Sequence, residues 1–324
     1  MFKSINFKEF CGVRTCKKPV KLHRFTVLIG PNNSGKTTLL SGLFLFPYAW
    51  TSLELPLLPY SKPLFLEKFL HRNIRSLVYR YSGNGQVSCV FQNKELRLEV
   101  YPNRIGDMWL KTDEGEKTIA QPRIDTLKRL FRDKKIMSYT ILIPNSDFFR
   151  EELEIALVDR WEDVEKTGAH IRLVRDLVSK VVEDKLTEVS LKRSELVVRK
   201  ELPWDDVAHI ELRHMGDGIK RFLTNALWLE AIKPKVVLWD DLEASAHPSL
   251  IKEVIEWLDS HNWQVVLSTH SIDVLHEIVL AEPKDSIVLA LRKLPDDTLT
   301  YREYTLEELG RLFESGQDIR KLLL

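Results

Sequence analysis

Apolar and polar residues alternate over Phe2 to Phe10, and Phe25 to Ile29 is apolar but for Thr26. The first pattern predicts a half-buried strand, the second a buried one, with a helix following from Lys36. After Pro47 the proline-rich TSLELPLLPYSKP intervenes, and alternating runs such as QVSCVF and KELRLEVY between Ser76 and Lys111 predict an antiparallel meander. Phe149, Leu153, Leu157 and Trp161 recur at helical spacing behind a Ser or Asp cap, and Ile171, Val174, Val178 and Val181 repeat the pattern beyond Gly168. Two helices, or one kinked helix, are expected there. Strands return at LTEVSL, SELVVRK and AHIEL. The chain then settles into a regular rhythm: helix over Gly218 to Ala231, strand over Val236 to Trp239, helix over Pro248 to Ser260, strand over Val265 to Ser268. Such alternation is the signature of a parallel sheet. The end reads as a hairpin, SIVLALRKLPDDTLTYREY, and a capped helix closed by glycine.

The break between the buried strand and its helix is GPNNSGKT, Gly30 to Thr37, which satisfies G-x-x-x-x-G-K-[ST] in the strand-to-helix context that the motif requires. Its glycines let the backbone curl so that successive N–H groups of Gly30, Pro31, Asn32, Asn33, Ser34, Gly35, Lys36, Thr37 and Thr38 (Pro31 lacking the donor) surround phosphate oxygens at a helix N-terminus. Lys36 would neutralise the β and γ phosphates, and Thr37 would offer its hydroxyl to Mg²⁺. In PKVVLWDDLEASAHPSL, a short apolar strand ends in Asp240, placed as a second magnesium ligand, and Asp241 follows as the carboxylate that could orient or deprotonate the attacking water. VVLSTHS repeats the design and brings Ser268, Thr269 and His270 to the same sheet edge, where His270 could meet the γ-phosphate or the water. The expected cofactors are therefore a nucleoside triphosphate and Mg²⁺.

Composition narrows the partners. The 324 residues are 44% hydrophobic and 29% charged, the balance of a globular protein with a sizeable core. Forty-eight basic and 47 acidic side chains leave a formal charge of +1, so no global field advertises nucleic acid or membrane. Cys11, Cys16 and Cys89 have no metal or disulfide spacing and read as reduced thiols of a cytoplasmic protein. The N-terminus has no signal-peptide pattern, no run approaches the roughly 20 apolar residues of a spanning helix, and no membrane role is expected. One local hint of DNA is PRIDTLKRLFRDKK, where Arg123, Lys128, Arg129, Arg132, Lys134 and Lys135 surround Leu127, Leu130 and Phe131 on a candidate helix.

HMGDGIKRFLTNALWLE, then DD-L-E-x-x-x-HP, then STHS, resembles ABC-type ATPases of the OLD, RecF and SMC-like group, and looks closest to their compact AAA-like or OLD-like heads. The resemblance covers Met1 to about Pro47 and Leu202 to about Leu275, with a weaker echo in the terminal GQDIR. It implies an α/β P-loop NTPase core of the ABC-ATPase head type with an antiparallel β part, formed by residues 1–47 and 204–324, and an inserted mixed lobe over 48–203. It implies ATP as the nucleotide. It also implies that Gly216, Asp217 and Gly218 act in trans, pressing a helix N-terminus onto the nucleotide of a second copy, so that ATP joins a homodimer. The family's usual glutamate is Asp241 here, one methylene shorter, which implies slow hydrolysis. Gln92 and Gln121 are candidates for the Q-loop glutamine, while Glu243 and His247 match the E-x-x-x-HP stretch, His247 as a structural or dimer-contact residue.

About 200 residues separate Lys36 from Asp240 without sustained heptads, which excludes a long coiled-coil arm. The chain ends some 50 residues beyond STHS without an acidic metal cluster, which argues against an appended nuclease. Two readings stand: an ATPase switch whose inserted lobe passes motion to DNA or a protein effector in DNA repair, DNA maintenance or defence, and a nucleotide-held scaffold that regulates a separate effector with little turnover.

Overall fold

The computed structural model describes residues 1–50, 54–112, 115–119, 124–131 and 136–320. Strand β1 (Phe2–Phe10) turns back as β2 (Val13–Cys16), a short β3 (Val20–Lys21) follows, and β4 (Phe25–Ile29) delivers the chain to α1 (Lys36–Phe44). Helix α2 (Lys62–Leu70) precedes four antiparallel strands, β5 (Gly85–Phe91), β6 (Lys94–Tyr101), β7 (Arg104–Thr112) and β8 (Gly115–Ile119), and then α3 (Ile124–Phe131) and β9 (Thr140–Ile143). The helical stretch comprises α4 (Asp147–Asp159), α5 (Trp161–Glu165), α6 (Ala169–Leu173), a π turn and α7 (Ser179–Val181). Strands β10 (Leu186–Lys192), β11 (Glu195–Glu201) and β12 (Val207–Glu211) lead into α8 (Asp217–Ile232), β13 (Val236–Trp239), α9 (Pro248–Ser260), β14 (Gln264–Ser268), α10 (Ile272–Ala281), β15 (Ser286–Lys293), β16 (Thr298–Tyr304) and α11 (Leu306–Glu314).

Among the described residues a 13-stranded sheet runs β8-β7-β6-β5-β1-β2-β16-β15-β4-β14-β13-β9, with β3 beside β1, while β10-β11-β12 form a separate antiparallel sheet. Strands β15, β4, β14, β13 and β9 are parallel neighbours. Every residue of β4, β9, β13 and β14 is buried, the continuous apolar signature of strands covered on both faces. The helix break at Gly168 is real, with φ 69°, and a second falls at Arg160.

The meander begins at Gly85, later than the alternation from Ser76 suggested, because Ile74–Leu77 and Tyr79–Tyr81 close as 3₁₀ turns. Its four strands extend the sheet from β1, and β9 sits inside the parallel layer. Of the described strands in the span 48–203, β5 to β9 belong to that sheet and only β10 and β11, which follow helices α4 to α7 in the chain, lie outside it. On the inner side of this region α4 packs on α8, where Phe149 meets Trp228 edge-on with ring centroids 5.6 Å apart. In the basic stretch, Lys128 is half-buried and Arg129 exposed beside the buried Leu127 and Phe131; Arg123, Arg132, Lys134 and Lys135 lie outside the described residues. No described helix is long and apolar enough to cross a membrane.

Candidate functional site

The parallel strands end together, so their following loops meet. Three residues of the loop after β4 have positive φ: Gly30 at 149°, Asn33 at 64° and Gly35 at 102°. The first and last require glycine, and at Gly30 a Cβ would also meet Ser34 Oγ at 2.6 Å and the Leu291 carbonyl. The loop closes on itself: Lys36 Nζ donates to the carbonyls of Gly30 (2.8 Å) and Pro31 (3.2 Å), and Ser34 Oγ is buried without a hydrogen-bond partner. A glycine-curled loop at a helix N-terminus, with a lysine and an unpartnered buried hydroxyl, fits a phosphate chain. Burial lowers Lys36 from the usual lysine range, and the charges of Asp241, Asp240 and Glu243 oppose that.

From the end of β13, Asp240 reaches back to the loop. Its Oδ2 accepts from Thr37 Oγ1 at 3.3 Å and its Oδ1 from Ser268 Oγ at 2.6 Å. The two predicted magnesium ligands are thus adjacent, which suits an ion that takes one or two protein oxygens and completes its shell with phosphate and water. Burial raises the Asp240 carboxyl above its usual range despite the Ser268 bond; Asp241 adds to the rise, and Thr37 and Lys36 oppose it. Asp241 has a left-handed backbone, φ 49°, and is tied at its N–H to Ser268 Oγ (2.9 Å) and at Oδ2 to Asn145 Nδ2 (3.1 Å).

His270, beyond β14, is exposed; its N–H donates to Glu243 Oε1 at 2.7 Å, and its carbonyl accepts from Arg320 Nη1 at 3.0 Å. The terminal GQDIR therefore folds back onto the histidine loop, anchored by the fully buried Ile319. Asn32, Asn33, Ser34, Gly35, Lys36, Thr37, Thr38, Arg72, Asp241 and His270 line one cleft of ≈ 260 Å³. A wider hollow of ≈ 760 Å³ lies by β10 and β11, lined by charged groups of both signs such as Asp184, Lys200 and Glu201, with no phosphate loop beside it.

Gly216, Asp217 and Gly218 are absent from the lining of that cleft and open α8 instead. Gly216 is exposed with nothing within 4 Å of an added Cβ, and Asp217 pairs with Lys220 at 2.9 Å. His247 caps α9, accepting the Ser249 N–H at its Nδ1. Gln92 lies in the β5–β6 turn, away from the cleft, and Gln121 is outside the described residues. The polar side chain that does reach Asp241 is Asn145, just past β9, with Arg72 entering the cleft from beyond α2. Sequence reasoning passed over both; the signal for Asn145 was the apolar run Ile141 to Pro144 followed by a polar residue, much as Asp240 follows an apolar run.

Residues 25–275 match the sequence model of a family described as AAA domain, putative AbiEii toxin, Type IV TA system, which takes in most of the 324 residues. The chain belongs to this family. The AAA-domain chain is also similar in structure to an Smc head bound to the C-winged helix domain of ScpA, with TM-score 0.64 at 14% identity, covering 95% of this chain and 99% of that one. A Pyrococcus furiosus Smc head with an extended coiled coil, bound to the C-terminal domain of ScpA, gives 0.61 at 14% identity over 97% and 98%. The SMC head domain from Thermotoga maritima gives 0.55 at 12% over 94% and 99%. These likenesses establish the P-loop ATPase head fold. An uncharacterized protein of Methanocaldococcus jannaschii is 29% identical over 112 residues, 33% of this chain and 91% of that protein.

Proposed function

We propose that this AAA-domain chain binds and hydrolyses ATP with Mg²⁺ as a nucleotide-gated homodimer, and that closure and opening of the dimer are its output. The observation that carries the reading is the convergence of Lys36, Asp241 and His270 from three strand ends on one cleft with a phosphate-type loop, with Asp240 bonded to Thr37 of that loop. In this reading the backbone from Gly30 to Thr38 cradles the phosphates and Lys36 exchanges its two loop carbonyls for phosphate oxygens. Thr37 and Asp240 would hold Mg²⁺, which supplies charge neutralisation to the transferring phosphoryl group. Asp241 orients the attacking water and takes its proton, and His270 hydrogen-bonds the γ-phosphate or that water. The exposed N-terminus of α8, with Gly216 to Gly218, meets the nucleotide of the second copy.

The region over residues 48–203 that stands outside the main sheet is the proposed output lobe, handing the motion to a protein effector. The Smc heads bound to ScpA domains are precedents for a partner protein on this fold. The proposed setting is DNA repair, DNA maintenance or defence, with Arg129 the exposed part of a basic DNA contact. A second reading, a scaffold holding ATP with little turnover, is favoured by one feature: Asp241 is a short carboxylate already bonded to Asn145.

The dimer is tested by the solution mass of Asp241→Asn protein with and without ATP and Mg²⁺. Doubling with ATP supports the shared site; a monomer under all nucleotide conditions contradicts it.

A further inference from the structure

One turn inside α8 stands Arg221, only 9% exposed. Its Nη1 donates to Asn145 Oδ1 at 2.8 Å, and its Nη2 to the backbone carbonyls of Asp240 at 3.3 Å and Asp241 at 3.4 Å. A single buried guanidinium therefore ties α8 to the ends of both β9 and β13. Asn145 passes the link on, since its Nδ2 donates to Asp241 Oδ2. Asp241 is consequently held at its carbonyl by Arg221, at its carboxylate by Asn145 and at its N–H by Ser268. Its left-handed φ of 49° is one a non-glycine residue keeps only where neighbours impose it.

A second contact joins the same two parts. Gly218, in the first turn of α8, lies so close to the backbone of Ser245 and Ala246 that a Cβ would collide with the Ser245 carbonyl. The N-terminal part of α8 thus grips the loop after β13 at both ends, Asp240–Asp241 through Arg221 and Ser245–Ala246 through Gly218. Space alone does not ask for a cation at position 221: an apolar side chain would fill it without desolvating a charge. The planar fork meets its acceptors in fixed directions, so a shift of the helix carries them along. Around it stand Asp147 and Arg150 of α4 and Glu243, besides Asp241.

We infer that Arg221 is a positioning residue that transmits contact at the N-terminus of α8 to Asp241, so that docking of Gly216 to Gly218 on the partner's nucleotide aligns the carboxylate that activates water. The inference rests on the proposed ATPase reading. It gives each site of the dimer a mechanical report of whether the other is engaged, through two bonded steps and no side chain in contact with the nucleotide.

The test compares wild type with Arg221→Met, Arg221→Lys, Asn145→Ala and the Arg221→Met/Asn145→Ala double variant. Two readouts are taken: steady-state ATP turnover, and hydrogen exchange of the Gly216–Lys220 and Asp240–Ala246 amides with and without a slowly hydrolysed ATP analogue and Mg²⁺. In wild type the analogue slows exchange in both segments. In Arg221→Met it slows only the first, kcat falls about tenfold or more, and KM and dimer yield change by less than about threefold. Arg221→Lys, which keeps the charge but loses the fork, behaves like the methionine variant, and the double variant is no slower than Arg221→Met alone. Analogue-dependent protection of Asp240–Ala246 that survives Arg221→Met overturns the inference, as do losses that multiply in the double variant. Asn145 is exposed, so Asn145→Ala carries the same comparison if Arg221→Met does not fold. Absent turnover in wild type counts against the ATPase reading, whereas the exchange comparison decides the transmission by itself.

Discussion

Ser268 donates its hydroxyl to Asp240 Oδ1 at 2.6 Å, and Ser268 Oγ in turn accepts the N–H of Asp241 at 2.9 Å. One serine at the end of β14 therefore fixes both aspartates at the end of the neighbouring β13. A parallel sheet makes this possible, because in-register neighbours such as Trp239 and Leu267 bring the residues that follow them side by side. Ser268→Ala leaves a buried carboxylate oxygen and an amide N–H each short of a partner. The expected cost is about 1–3 kcal/mol in chemical denaturation, with a lower turnover number and unchanged dimer stoichiometry.

Asp241→Asn keeps an acceptor for the Asn145 amide but removes the base. ATP turnover should fall about a hundredfold or more while nucleotide affinity, read by a fluorescent analogue, stays within a few-fold of wild type. Equal loss of affinity and turnover would assign Asp241 to binding.

The two glycines of α8 should respond in opposite ways. Gly218→Ala drives a Cβ into the Ser245 carbonyl and should lower stability by about 1–3 kcal/mol. Gly216→Ala meets nothing within 4 Å at φ −55°, so the melting temperature should hold, while the proposed docking of this face on the partner's nucleotide predicts weaker ATP-dependent dimerisation. Unchanged dimerisation in Gly216→Ala would remove Gly216 from the interface.

Glu230, in α8, offers a test of pH dependence remote from the cleft. Burial alone would raise its carboxyl, but the bond and charge of His261, with Arg172 and Trp257, outweigh it and leave Glu230 below the usual glutamate range. A carboxylate depressed by folding contributes stability that is complete above the unfolded glutamate value and is lost as pH falls through the folded one. Denaturation midpoints should thus decline on the acid side of about pH 4.3 in wild type, and Glu230→Gln should flatten that decline while lowering stability at neutral pH.

Much of the cleft was legible because phosphate and magnesium chemistry demands particular residues at particular offsets. Gly30, Lys36, Thr37, Asp240 and His270 belong to three short motifs, and a parallel sheet has one edge at which such motifs can meet. The longer elements were legible for a similar reason: β4, β13 and β14 are largely apolar runs, and α8 and α9 carry a clear helical period. What stayed hidden was long-range. Strand β9 is four residues long, and nothing local shows that it lies beside β13, 96 residues away, bringing Asn145 to Asp241. Nothing in the sequence marks Arg221 as interior, whereas its partners place it there. Arg72 and Arg320 come from loops whose positions only the tertiary fold determines.

The central claim is hydrolysis at the cleft built around Lys36, and phosphate release from ATP with Mg²⁺ tests it most directly, with Lys36→Ala protein prepared identically as the blank. Release above that blank, abolished again in Asp240→Asn, is the predicted result. Release equal in wild type and Lys36→Ala would contradict the account.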